Sequence, residues 1–226
     1  SRSNLETRRC YAQGLVKELS FQLALVARGA SYRNGLRVHV PVLASNVFAI
    51  TKSVNGGALE TLAPLAGHSE CTVDVFTNAH ALLPSPPGYL FANTDPGSPP
   101  VPAATIDLTI EFSSPVDPVT LGAAPYDIYL KRGGVEIHLP GQQPSADADM
   151  SLFGTWEDGT LLGTSYTYKT PFGQPWVLHL PESWKHPYEH EHVEQAYPSF
   201  VPWTRAAGLD AQDWYGTPEA QRVWPH

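Results

Sequence analysis

The chain has 226 residues, 42% of them hydrophobic and 16% charged, and its formal net charge is −8. Nucleic acid and anionic membrane surfaces are disfavoured as partners because both require clustered Lys and Arg, and the sequence has no basic run. No apolar stretch reaches the roughly 18 residues that a membrane-spanning helix needs, so direct membrane insertion is not expected. The abundance of Pro (22) and Gly (18) favours an all-β domain with many turns. The chain opens without Met and is interpreted as a piece of a longer protein.

Alternating apolar residues predict strands in the first half of the chain. The pattern has a period of two in residues 17–29, 36–40, 71–76 and 105–112. Such alternation is typical of antiparallel strands with one buried face and one solvated face. Cys10 and Cys71 have no metal-ligand spacing, and they are either buried thiols or a disulfide pair.

The second half begins with a predicted hairpin. Two alternating runs in residues 127–140 flank Gly133-Gly134, a pair suited to a tight primed turn. A further strand is expected over residues 175–181, with Trp176 in the core. A short helix is expected within residues 197–210, capped by Ser199 and ended by Gly208.

These elements predict a single antiparallel β-sandwich over residues 1–226, jelly-roll or Ig-like, with a short C-terminal helix. The proline-rich stretch 83–104 is expected to cross between the two sheets. Edge strands of such a sandwich offer a route to self-association.

The segment "DADMSLFGTWED" is a candidate calcium site. Asp147, Asp149 and Ser151 occupy positions 1, 3 and 5 of a possible oxygen-ligand loop, and Asp158 occupies position 12. Position 6 is Leu152, where an EF-hand requires Gly, so the site would be irregular. The alternative is that the carboxylates cap turns.

The segment "HPYEHEHVEQAYP" is a candidate zinc site through His186, His190 and His192. No single regular conformation brings all three together, and Pro187 interrupts the first pair. We interpret the segment as a polar surface turn, with weak zinc binding as the alternative.

Aromatic residues are the last candidates for a ligand-binding site. Trp156 and Trp184 fall in predicted loops, where they could stack on a sugar ligand. The sequence contains no GxSxG, HExxH or Gly-rich phosphate loop, so an enzyme is not expected. A metal-dependent hydrolase built on the histidines is the enzymatic alternative.

Three blocks resemble the LruC domain of bacterial secreted and outer-membrane-associated proteins. They are "GASYRNGLRVHVP", "PYDIYLKRGGVEIHLPGQQPSADADMSLFGT" and "GQPWVLHLPESWKHPYEHEHVEQAYPSFVPWTRAAGLDAQDWY". The resemblance covers residues 14–216 and implies a β-rich, non-catalytic domain that lies outside the cell or on the outer-membrane surface. It supplies no catalytic residues.

The expected role is therefore surface assembly, adhesion or ligand binding, with a surface protein or a polysaccharide as partner. The alternatives are a carbohydrate-binding module with structural calcium and a subunit of a surface fibre. No cofactor other than calcium is expected.

Overall fold

The computed structural model of the protein describes residues 2–182 and 184–225. These residues form two antiparallel sheets, with strand orders β1-β2-β7-β4-β5 and β6-β3-β8-β9. The strands are β1 (Arg2–Ala12), β2 (Leu15–Ala27), β3 (Gly35–Leu43), β4 (Val47–Val54), β5 (Glu60–Leu62), β6 (Glu70–Phe76), β7 (Ala104–Val116), β8 (Asp127–Arg132) and β9 (Val135–Ile137).

The strand register explains which face of each sheet is buried. In the first sheet Phe21 lies opposite Leu108 and Leu23 lies opposite Ile106. Since side chains alternate across a strand, both strands turn the same apolar face inward. One core contains residues of both sheets, so the antiparallel β-sandwich is confirmed. Its fully buried members include Val16, Leu19, Val38, Val40, Cys71, Val75, Ile106, Leu108, Ile110 and Phe112.

The two cysteines do not pair. Cys71 is buried in the sandwich core, whereas Cys10 is exposed on the edge strand β1, and both thiols are free. Burial raises the pKa of the Cys71 thiol to about 12.

The predicted C-terminal helix is confirmed, although it is shorter than its sequence boundaries. It spans Phe200–Arg205 and is preceded by Ser199, whose side chain makes no capping hydrogen bond. Gly208 lies beyond the helix end with φ of 85° and donates its N–H to the Trp203 carbonyl at 2.9 Å. The four α-helices of the described residues are α1 (Ala79–Leu82), α2 (Pro118–Leu121), α3 (Val193–Ala196) and α4 (Phe200–Arg205).

The proline-rich segment 83–104 leads from the second sheet to β7 in the first. Arg28 anchors it: the side chain is 1% exposed, and its Nε donates to the Leu83 carbonyl at 3.0 Å. Asn93 adds two bonds from its Nδ2, to the carbonyls of Val26 and Val101. This buried polar network fixes a segment that has no regular structure of its own.

Residues after β9 form an irregular layer. The prediction of a strand over residues 175–181 is wrong. Pro175 makes an isolated bridge to Lys169, and no ladder follows it within the described part of the chain. Trp176, expected in the core, is 42% exposed. This layer has its own hydrophobic cluster, built around Ala196, Tyr197, Phe200, Trp214 and Val223.

Four strands lie at sheet edges: β1 and β5 in the first sheet, β6 and β9 in the second. Of these, β1 is the longest, with 11 residues. Self-association through an edge stays a prediction. Within the described ranges, every helix is too short or too polar to cross a bilayer.

Candidate functional site

The four residues of the expected calcium site do not form one ligand cluster among the described residues. Asp147 accepts a hydrogen bond from Arg37 Nη1 at 2.6 Å. Asp149 instead accepts from the backbone N–H and the hydroxyl of Ser151, at 3.0 and 2.6 Å. Among the described residues, no group of three or more His, Cys, Asp or Glu side chains is arranged to hold a metal ion. Calcium binding therefore stays a prediction without an assembled ligand set, and Asp149 caps a turn.

The three histidines of the expected zinc site also point to different surroundings. His186 is 6% exposed and its Nε2 donates to the Asn93 carbonyl at 2.6 Å. His190 and His192 are exposed, and His192 lies 3.8 Å from Glu194. The interpretation as a surface turn fits the last two histidines, whereas His186 belongs to the interior.

Trp184 does not present a free ring to a ligand. It packs against Tyr197 and Trp214, with ring centroids 5.3 and 5.7 Å away. Its position in a loop was predicted correctly, but the loop folds into the aromatic cluster of the irregular layer.

Trp156, in contrast, is fully exposed, at 101% of its reference area. It lies in a tight loop closed by two hydrogen bonds: the Gly154 N–H donates to Asp158 Oδ2 at 2.9 Å, and the Asp158 N–H donates to the Thr155 carbonyl at 3.0 Å. The Trp156 backbone has φ of 59°, a left-handed conformation that bulky residues seldom adopt. The loop therefore holds a large apolar ring in water at some conformational cost.

The same loop is attached to a second exposed indole. Trp176 Nε1 donates to Asp158 Oδ1 at 3.2 Å, so one carboxylate braces both tryptophan-bearing segments. Gly159 packs closely on Pro171, because a Cβ atom at Gly159 would lie 2.7 Å from the Pro171 nitrogen. Phe172 follows at the tip of the next turn and is 84% exposed. We refer to Trp156, Phe172 and Trp176 as the aromatic platform.

A groove of about 380 Å³ is lined by residues that neighbour the platform in the sequence. Gly173 and Pro175, which lie between Phe172 and Trp176 in the sequence, line it together with Trp203 and Lys169. We refer to it as the Trp203 groove. It offers apolar walls with a few polar groups, as small-molecule and oligomer-binding grooves commonly do.

A buried polar cluster on the second sheet is the feature that sequence reasoning missed. His138 is fully buried, with Nδ1 2.9 Å from both Asp127 oxygens and Nε2 3.1 Å from Glu136 Oε2. Tyr129 stacks on its ring with centroids 3.9 Å apart. Burial disfavours the imidazolium, but the hydrogen bonds to Asp127 and Glu136 outweigh burial and raise the pKa of His138. In the protonated ring both nitrogens donate to carboxylates, so the imidazolium has no lone pair with which to accept a further proton.

The cluster also fixes the loop that follows β9. Burial opposes the Glu136 charge, yet hydrogen bonds from His138, Lys131 and Ser145 hold the pKa of Glu136 well below its usual range. Lys131 Nζ lies 2.7 Å from Glu136 Oε1, and Ser145 Oγ donates to the same oxygen at 2.6 Å. Together with the Arg37–Asp147 pair, these bonds clamp residues 145–147 onto the sheet.

These observations define a class of protein: an antiparallel β-sandwich with an irregular aromatic layer that displays rings to solvent. The chain belongs to DUF4842, a family of domains of unknown function, whose sequence model matches residues 14–215. No curated protein sequence matches it.

A similar crystal structure, at 2.08 Å resolution, is that of a Bacteroides ovatus protein described as a putative lipoprotein. The TM-score is 0.61 and the identity is 19%, with 98% of this chain and 68% of that chain covered. At this level of identity the likeness establishes the fold.

Proposed function

We propose that the protein is a non-catalytic domain of the bacterial cell envelope that binds a neutral polysaccharide through the aromatic platform. The observation that carries the proposal is the complete exposure of Trp156 on a loop braced by Asp158. A soluble protein gains stability by burying tryptophan, so a ring held in water in a strained conformation points to a ligand that covers it.

The charge around the platform selects among possible ligands. Exposed Glu157 follows Trp156 directly, and the net charge of the chain is −8. Both repel anionic polymers. Insertion of Trp156 into a bilayer would also desolvate the neighbouring carboxylate, which is costly. A neutral sugar ring can instead stack its C–H face on the indole while its hydroxyls reach nearby carboxylates, and the Trp203 groove can take further sugars of an extended chain.

Placement at the cell envelope has separate support. The sequence blocks resemble LruC domains, and a protein of the same fold is described as a putative lipoprotein. The non-catalytic assignment is supported by the burial of His138, which is sealed between two carboxylates.

Native affinity electrophoresis through gels that contain neutral polysaccharides tests the proposal. The wild-type protein is expected to be retarded by at least one polymer, and Trp156→Ala to lose the retardation. Truncation of a central aromatic contact typically weakens binding by about 30-fold, or about 2 kcal/mol. The matched control is Phe48→Ala, which removes a ring that is 72% exposed on β4 of the sandwich.

The proposal fails if no neutral polymer retards the protein, or if Trp156→Ala migrates as the wild type does. Sedimentation velocity distinguishes glycan binding from a further case, in which the platform mediates self-association. A dimer that dissociates in Trp156→Ala would assign the platform to self-association.

A further inference from the structure

A second concave site lies on the second sheet and shares no lining residue with the Trp203 groove. It is a cleft of about 370 Å³, within the range of roughly 300–1,000 Å³ that small-molecule sites occupy. Its walls come from residues 67–70 and 141–146, and from strand residues that include His39, Asp127 and Tyr129. We refer to it as the Glu70 cleft.

The lining of the cleft is acidic. Among the described residues it contains two carboxylates, Glu70 and Asp127, two histidines, His39 and His68, and no lysine or arginine. Glu70 Oε2 is bonded to His39 Nε2 at 2.9 Å, while its Oε1 takes part in no hydrogen bond among the described residues. Asp127 faces the buried His138 on one side and lies 3.9 Å from His39 Nδ1 on the other. Glu70 Oε1 therefore remains an unused acceptor of negative charge, whereas both Asp127 oxygens lie 2.9 Å from His138 Nδ1.

A buried hydroxyl lining the same cleft lacks a well-formed hydrogen bond, although Arg37 and Ser145 lie near it. Tyr129 is 1% exposed, and its Oη has no hydrogen bond of acceptable geometry in the described part of the chain. Burial and the Glu136 charge raise the pKa of this phenol to about 12, although the nearby Arg37 and Ser145 side chains interact with the hydroxyl and lower it. The phenol is thus neutral and can accept a hydrogen bond. A buried polar group without a partner is destabilising, and a bound donor would relieve that penalty.

We infer that the Glu70 cleft binds the ammonium group of a small polar molecule of about the size of an amino sugar. An ammonium group has three donors and no acceptor, and the cleft offers acceptors on Glu70, Asp127 and Tyr129. The two carboxylates repel an anion. A neutral molecule would leave the charge of Glu70 uncompensated, and the described residues lack a ligand set for a metal ion.

The test is an NMR titration of the ¹⁵N-labelled protein with three probes that share one ring, performed below the pKa of the amine. The probes are glucosamine, glucose and glucuronate, which are cationic, neutral and anionic. Glucosamine is expected to shift the backbone amides of Gly141 and Gln142 and to bind about tenfold or more tightly than glucose, because hydrogen bonds to charged groups are the strong ones.

Two variants and a control locate the binding. Glu70→Gln is expected to weaken glucosamine binding by about tenfold or more, and Tyr129→Phe by about fivefold. Glu60→Gln should leave it unchanged, since Glu60 pairs with Lys52 on the first sheet. Thermal melts confirm that each variant is folded.

Three results overturn the inference: equal binding of glucose, no shift at the cleft amides with glucosamine, or an equal loss in Glu60→Gln. Trp156→Ala must leave glucosamine binding intact. This inference and the proposed function can therefore fail independently.

Discussion

Replacement of His138 by alanine tests the role of the buried polar cluster. The substitution removes the imidazole that bridges Asp127 and Glu136. Glu136 would retain Lys131 and Ser145, but Asp127, 8% exposed, would lose its close partner. Removing one member of a buried ion pair costs about 3–5 kcal/mol, and the remaining bonds of Glu136 place the expected loss near the lower end, about 3 kcal/mol. For a domain of this size that corresponds to a fall in Tm of about 6–12 °C.

Urea unfolding and thermal melts of His138→Ala, beside His192→Ala, measure this loss. The His192 side chain is 72% exposed, so its removal should change the free energy of unfolding by less than about 0.5 kcal/mol. A loss below about 1 kcal/mol in His138→Ala would refute the reasoning, because it would mean that the carboxylates are stable without the imidazole.

The pH dependence of stability gives the same cluster a second test. The pKa of His138 is raised above 6.5 in the folded state, so its contribution is complete below pH 6.5 and is lost as the pH rises through the folded value. The pKa of Glu136 is lowered from 4.5, so its contribution is present above pH 4.5 and is lost as the pH falls through the folded value. His138→Ala should therefore remove the loss on the alkaline side. An identical loss of stability at alkaline pH in the variant and the wild type would contradict this assignment.

Two further substitutions probe the layers around the sandwich. Arg28→Met removes the buried donor to the Leu83 carbonyl and should lower the free energy of unfolding by about 1.5–3 kcal/mol. It should also speed proteolysis within residues 83–104. An unchanged cleavage rate would count against the anchoring role of Arg28. Gly159→Ala should lower the free energy of unfolding in urea by about 1–3 kcal/mol, because the new Cβ would meet the backbone of Pro171. Gly216→Ala is the control: its Cβ would have no described atom within 4 Å, so the free energy of unfolding should not change. Equal stability of the two glycine variants would contradict the close packing.

The hairpin shows how far the sequence can lead. Gly133-Gly134 and the alternating runs predict β8 and β9, and the hairpin is confirmed, with Gly133 at φ of 56°. The two-residue turn also fixes the register, which places Lys131 opposite Glu136. Continued by two residues, the same register pairs Tyr129 with His138, whose rings stack. The polar cluster could therefore have been predicted from the turn, although its burial could not.

The irregular layer shows where local patterns fail. Alternation in residues 175–181 predicts a strand, but Pro175 and Pro181 lack N–H donors. No strand of residues 2–182 or 184–225 pairs with the segment. Leu178 and Leu180 do pack on the aromatic cluster, while Trp176 turns outward to Asp158. Trp156 and Trp184 both lie in loops as predicted, yet only tertiary packing decides that one is exposed and the other covered.

The central claim, that the aromatic platform binds a neutral glycan, is tested most directly by the indole N–H signals of the six tryptophans. An NMR titration with an oligosaccharide of the retarding polymer is expected to shift the signals of Trp156 and Trp176. The signals of Trp214 and Trp224, which are 1% and 4% exposed, should stay in place. Binding that leaves the Trp156 and Trp176 signals unmoved would contradict the account.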